Sequence, residues 1–103
     1  MNLQELKVLS EKVLSDCKPS DAFWTCHGRI VRNIYELANT IESMDDSSFI
    51  YHVNDDHNKN DFAKWIKEVL DDSELARRLE NVRYKKTYIE IIRDRIKELE
   101  SAA

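Results

Sequence analysis

"GRIVRNIYELANTIESM", residues 28–44, is the stretch on which the fold turns. Ile30, Ile34, Leu37, Ile41 and Met44 recur at steps of four, three, four and three, and Val31, Tyr35 and Ala38 widen that stripe. Arg29, Arg32, Asn33, Glu36, Asn39 and Glu42 fall outside it. An apolar stripe of this period marks an amphipathic helix with one face in a core. The stretch therefore reads as the core helix of the protein, running on from Gly28.

Working outward, residues 2–17 read as a first helix, with Leu3, Leu6, Leu9, Val13, Leu14 and Cys17 on one side. "KPSDAFW", residues 18–24, breaks the pattern, because Pro19 disfavours helix at Lys18 and Ser20 or Asp21 can start a turn. Phe23 and Trp24 follow, and the segment reads as an irregular plug over the bundle end. Gly28, the sole glycine, either permits a positive φ or lets a ring pack close.

Downstream, Asp45 or Asp46 can cap a short helix over "FIYHV", residues 49–53. The β-branched and aromatic side chains there would suit a strand, but no ladder partner is visible for one, and unpaired backbone groups are costly. "NDDHNK" reads as a loop, and Asn60 caps a helix over 61–70 with Phe62, Trp65, Ile66, Val69 and Leu70 on one face. A long helix is expected over 73–101. Its first stripe is Leu75, Leu79 and Val82; its second is Ile89, Ile92, Ile96 and Leu99, flanked by Tyr84, Tyr88 and Ile91. At about 100° per residue the two stripes lie about 100° apart, well beyond the roughly 20° per heptad of ordinary helical drift. The two halves should therefore touch different neighbours.

With 103 residues, 42% apolar and 35% charged, the chain fits one small domain over residues 1–103. One glycine and one proline leave little material for hairpin turns. The expected class is all-α: a compact bundle of four or five helices with a long C-terminal helix. A net charge of −4 counts against non-specific nucleic-acid binding, which needs a basic surface. The chain start lacks a basic segment leading into an apolar run, and no apolar stretch nears the roughly 20 residues that cross a bilayer. Two cysteines, Cys17 and Cys26, are no disulfide framework, so the cytoplasm is the expected compartment.

The residues with chemical potential cluster around "FIYHVNDDHNKNDFAKW", 49–65. A calcium loop opening at Asp56 gains Asn58 and Asn60, but needs glycine where Asp61 stands and a bidentate glutamate where Lys67 stands. That reading fails. Zinc could draw on Cys26, His27, His52 and His57, yet the adjacent Cys26–His27 pair and the five-residue step from His52 to His57 fit zinc spacing poorly. A thiol enzyme would need Cys26 or Cys17 beside a histidine, and no Gly-rich phosphate loop or nucleophile elbow accompanies them. Arg83, Lys85 and Lys86 in "VRYKKTY" could touch nucleic acid, but the last helix is laced with its own ion pairs, such as Glu74 with Arg78.

Residues 22–80 carry a resemblance. Phe23, Gly28, Ile34–Tyr35–Glu36–Leu37, Phe49, His52–Val53, Asn60–Asp61–Phe62–Ala63, Trp65–Ile66, Asp72 and Leu75–Ala76 follow the pattern of a family of small prokaryotic domains of unknown function, common in archaea. His27 departs from it, standing where an acid is expected before the glycine. The resemblance implies a fold unit and an archaeal or bacterial source, with no activity attached. It also recasts His52, Asn54, Asn60 and Asp61 as a loop-locking hydrogen-bond network that caps the Trp65 helix.

The resulting expectation is a non-enzymatic helical interaction or self-association module that needs no cofactor or metal. Its contact surface with a protein partner, a second copy included, is expected on the last helix at Tyr88, Ile89, Ile92, Ile96 and Leu99. The alternatives are a metal or thiol enzyme on Cys26, His27, His52 and His57, and a weak nucleic-acid binder on the basic part of the last helix.

Overall fold

A computed structural model describes all of residues 1–103. Six helices carry the chain: α1 (Leu3–Val13), α2 (Ile34–Ser43), α3 (Asp46–His52), α4 (Asp61–Glu68), α5 (Ser73–Leu79) and α6 (Lys85–Ala102). Two antiparallel ribbons are set between them. The strands β1 (Phe23–Trp24) and β2 (Ile30–Val31) form the first, and β3 (Val53–Asn54) and β4 (Lys59–Asn60) the second. The all-α expectation is thereby corrected to a small mixed fold, mostly helical.

The first correction falls inside the opening stretch. The helix does not start at Gly28; it starts at Ile34, with Asn33 as its cap. The Asn33 Oδ1 accepts the Glu36 amide at 2.8 Å, and Glu36 Oε1 reaches back to accept the Arg32 amide at 2.8 Å. This reciprocal pair is close kin to a capping box, and it marks a helix start that the four-three stepping of Ile30, Ile34 and Leu37 concealed. Before the cap the burial alternates instead: Ile30 is 43% exposed and Val31 0%, as in a strand. Beyond it, Ile34, Leu37, Ala38 and Ile41 are buried together, as one face of a helix should be.

The second correction is at "FIYHV". Asp45 caps α3 by accepting the Ser48 amide at 2.8 Å, but Val53 and Asn54 leave that helix and pair with Asn60 and Lys59. The ladder partner lay seven residues downstream. Asn58, at φ 49°, takes the left-handed position of the turn, a conformation asparagine tolerates better than most residues.

The third correction concerns the last helix. The expected 73–101 element is two helices separated by residues 80–84. No glycine or proline marks the break, and Tyr84 offers α6 no side-chain cap. Arg83 serves the broken turn instead, donating to the carbonyls of Glu80 and Val82 at 3.0 and 3.2 Å. The 100° change of stripe direction is resolved by this change of axis, so α5 packs on α4 while α6 packs on α2 and α1.

At the centre, Phe49, Phe62 and Tyr88 meet edge to face or stacked, with ring centroids 5.3–6.3 Å apart, a geometry that aromatic quadrupoles favour. An ion pair is buried as well. Arg95 (5% exposed) grips both oxygens of Asp72 (0% exposed) at 2.9 Å, and Asp72 also caps α5 through the Leu75 amide. Burial alone would lower the Arg95 pKa, but the bonds to Asp72 and Glu98 outweigh it and raise it. Glu98 in turn holds Arg78 at 3.0 Å, which ties α5 to α6. No helix is long and apolar enough to cross a membrane.

Candidate functional site

The β1–β2 ribbon has two unlike faces. Phe23 and Val31 form the inward cross-strand pair; Trp24 and Ile30 form the outward one, 64% and 43% exposed. Successive strand residues alternate sides, so Val31 in the core obliges Ile30, and its partner Trp24, to face solvent.

The turn joining the strands, residues 25–29, closes with the Thr25 amide on the Arg29 carbonyl at 2.9 Å. Gly28 sits at φ +81°, and a Cβ added there would meet nothing within 4 Å. Of the two roles the sequence left open for this glycine, the structure selects backbone conformation over close packing. Thr25 Oγ1 accepts the Arg29 amide at 3.0 Å, and Arg29 donates to Ser43 Oγ at 2.7 Å.

His52 fastens this turn to the core. Its ring is 3% exposed and packed among Phe23, Phe62 and Tyr51. The Cys26 amide donates to His52 Nε2 at 3.1 Å, and His52 Nδ1 lies 2.9 Å from Asp61 Oδ2. An amide can only donate, so Nε2 must present its lone pair, and the proton of the neutral ring resides on Nδ1 facing Asp61. Lys59 Nζ stands 3.3 Å from that carboxylate and over the Tyr51 ring at 4.1 Å.

Between the turn and the α2–α3 junction lies a recess of about 210 Å³, bordered by Cys26, His27, Arg29, Asp45 and Ser48 among others. His27 Nε2 and Ser48 Oγ are 2.6 Å apart. The amide of Ser48, then its hydroxyl and that of Ser47, hold the Asp45 carboxyl down at about 2. The Cys26 thiol is free and exposed.

Among the residues singled out for metal or thiol chemistry, His27 bonds Ser48 while the Cys26 thiol has no partner. His52 spends both nitrogens, and His57 lies exposed in the second ribbon's turn, its amide on Asn54 Oδ1 at 2.9 Å. No three His, Cys, Asp or Glu side chains are grouped as a metal would need. Of the polar residues around the histidine-rich loop, Asn60 caps α4 through the Ala63 amide, accepts the Tyr88 hydroxyl at 2.6 Å and donates to the Leu79 carbonyl at 2.9 Å. It thereby joins α4, α5 and α6. Asn54 donates to the Ile50 carbonyl at 2.8 Å. Trp65 places its indole N–H on the Asp21 carbonyl at 2.8 Å.

Burial and pairing bear on two readings of α6. Tyr88, Ile89, Ile92, Ile96 and Leu99 are all between 0% and 9% exposed. They are spent on the chain's own core, so no partner reaches them without unfolding it. Arg83 is paired with Asp55 at 2.8 Å, and Lys85 donates to the Met44 carbonyl at 2.7 Å; of the basic trio, only Lys86 has no such partner.

Trp24 is the surface residue that the sequence reading missed. Its signal was present: "FW" and "IV" flank a short segment containing the only glycine, which is a hairpin signature. Residues 19–101 match the model of a family of unknown function, DUF5752. The matched span runs past the 22–80 block to take in α6. No curated protein and no solved structure shows significant similarity.

Proposed function

For a chain that belongs to DUF5752, a family of unknown function, the surface is the available guide, and we propose that this protein is a binding module whose contact face is the outer side of the β1–β2 ribbon. One observation carries the reading: Trp24, the most costly side chain to leave in water, is 64% exposed beside Ile30. Tryptophan is enriched among the residues that dominate binding energies. The ribbon is also held in place before any partner arrives, through the Cys26 amide on His52 and through Arg29 on Ser43. Such preorganisation lowers the entropy lost on association. In this reading His52 and Asp61 serve as the anchor of the ribbon, while Asn54 and Asn60 order the second ribbon behind it.

A tryptophan buries about 150–250 Å², whereas a stable interface takes about 800 Å² from each partner. The ribbon face is therefore the anchor of a larger or a transient contact. Cys26, two residues from Trp24, provides a native handle for testing this. A benzophenone attached to its thiol in the Cys17→Ser chain, irradiated in an extract of the source cells, should yield a discrete protein adduct, whose mass tells a second copy of the chain from another protein. The adduct should be lost with Trp24→Ala. An adduct equally strong with Trp24→Ala, or no discrete adduct from the intact chain, overturns the reading.

A further inference from the structure

The ribbon that bears Trp24 is tied to the core by a bond whose acceptor can take up a proton. His52 Nε2 receives the Cys26 amide at 3.1 Å. Protonating Nε2 would set an N–H against an N–H, and the contact would have to open. The other nitrogen behaves in the opposite sense. Nδ1 already faces Asp61 at 2.9 Å, and an imidazolium there gains a charged partner, since bonds with an ionised member are stronger than neutral ones. The proton that dismisses the turn thus strengthens the bond to α4.

We propose that His52 is a proton-operated latch: neutral, it holds the Cys26 amide and stiffens the turn that carries the Trp24–Ile30 face; protonated, it stays paired with Asp61 and releases that amide, leaving the turn on the Arg29–Ser43 and His27–Ser48 bonds. This regulation of the ribbon rests on the reading of that face as the contact surface.

The groups facing His52 fit this assignment. From α3 comes the Tyr51 ring, from β4 the Lys59 ammonium, and from the head of α4 the Asp61 carboxylate, with Lys59 and His52 both on Asp61 Oδ2. Phe23 and Phe62 fill the remaining sides and offer no alternative acceptor for a second ring proton. The released Cys26 amide lies in an exposed turn, where water replaces the imidazole. His27, on the same turn, bonds Ser48 Oγ; a hydroxyl accepts from imidazolium as readily as it donates to imidazole, so protonation of His27 leaves that contact standing.

Amide hydrogen exchange read by nuclear magnetic resonance tests the latch without any partner. Across the range in which imidazoles take up a proton, about pH 8 to 5, protection of the Cys26 amide, corrected for intrinsic exchange, should fall by up to about tenfold per pH unit, the limit for one coupled proton. Protection at Ile92 should stay constant. In His52→Gln, whose side-chain oxygen accepts from the amide but does not titrate, Cys26 protection should be flat. A flat Cys26 profile in the unmodified chain, or an unchanged pH dependence in His52→Gln, overturns the latch. Neither result touches the cross-linking test of Trp24, and a missing cross-link leaves the exchange profile as it is, so the two ideas fail separately.

Discussion

The apolar stripe of α6 and the outer face of the β1–β2 ribbon are built from the same kinds of side chain. One is Ile89, Ile92, Ile96 and Leu99 with Tyr88; the other is Trp24 with Ile30. The first is shut inside the chain and the second stands in water. Hydrophobic attraction has no direction and rewards any apolar surface that comes near, so composition alone does not decide which stripe meets its own chain and which is left for another. The α6 stripe has α1, α2 and α5 against it. The outward ribbon face has nothing, because pairing Phe23 with Val31 commits the alternate residues to the far side.

Substitutions can break or sharpen this contrast. Ile92→Glu strikes the buried stripe hardest. Truncating such a core isoleucine costs about 2–5 kcal/mol, and a carboxylate without a partner at a fully buried position costs more. The variant should lack a cooperative unfolding transition by circular dichroism; a folded variant with altered mass would instead return the stripe to the surface. Asp72→Ala comes next. It leaves the buried Arg95 guanidinium with only the partly exposed Glu98 as a charged partner, a loss of up to about 3–5 kcal/mol, read as a lowered urea midpoint. If Arg95→Met in the same chain restores stability, the stranded charge is the cause.

Asp45 offers a smaller, pH-dependent effect beneath the ribbon. Its carboxyl is held down from 3.8 to about 2 by the Ser48 amide first and the serine hydroxyls after it. A depressed carboxyl stabilises fully above its unfolded value and loses that contribution as pH falls through the folded one. The melting temperature of the unmodified chain should therefore drop relative to Asp45→Asn between about pH 4 and pH 2, and a constant difference would contradict the cap's charge dependence. Trp24→Ala should change stability least, within about 0.5 kcal/mol by urea denaturation, as surface residues do. A loss near that of a core residue would mean that the indole packs on its own chain and is no docking face.

Much of this architecture was legible from local signals. Asn60 before "DFAKW" and Asp45 before the α3 run cap helices where such residues are expected, because a cap is satisfied within three residues of itself. The Ile34, Leu37, Ile41 face of α2 was legible for the same reason. The start of α2 was not, since Ile30 happens to extend the helical step, although Asn33 and Glu36 already spelled a cap. Neither ribbon was read, because strands of two residues carry no periodicity, which left only the glycine between "FW" and "IV" as a sign of the first. Residues 80–84 break the helix without glycine, proline or a capping side chain, leaving only the shift in stripe direction as a sign.

In the candidate site, the types were visible and the roles were not. Cys26, His27, His52 and Asp61 could be named from their chemistry, but His52 acts on Cys26 through a backbone amide, and no side-chain spacing reports a backbone contact. By itself, then, the sequence determined the helical faces and most of the caps, which depend on neighbours within one or two turns. Only the tertiary structure decided that α6 would be consumed by the core, that the chain would turn twice as ribbons, and that Trp24 would remain outside. Those outcomes depend on which distant surfaces come into contact, and burial is settled by the geometry of that contact rather than by the residue's own preference.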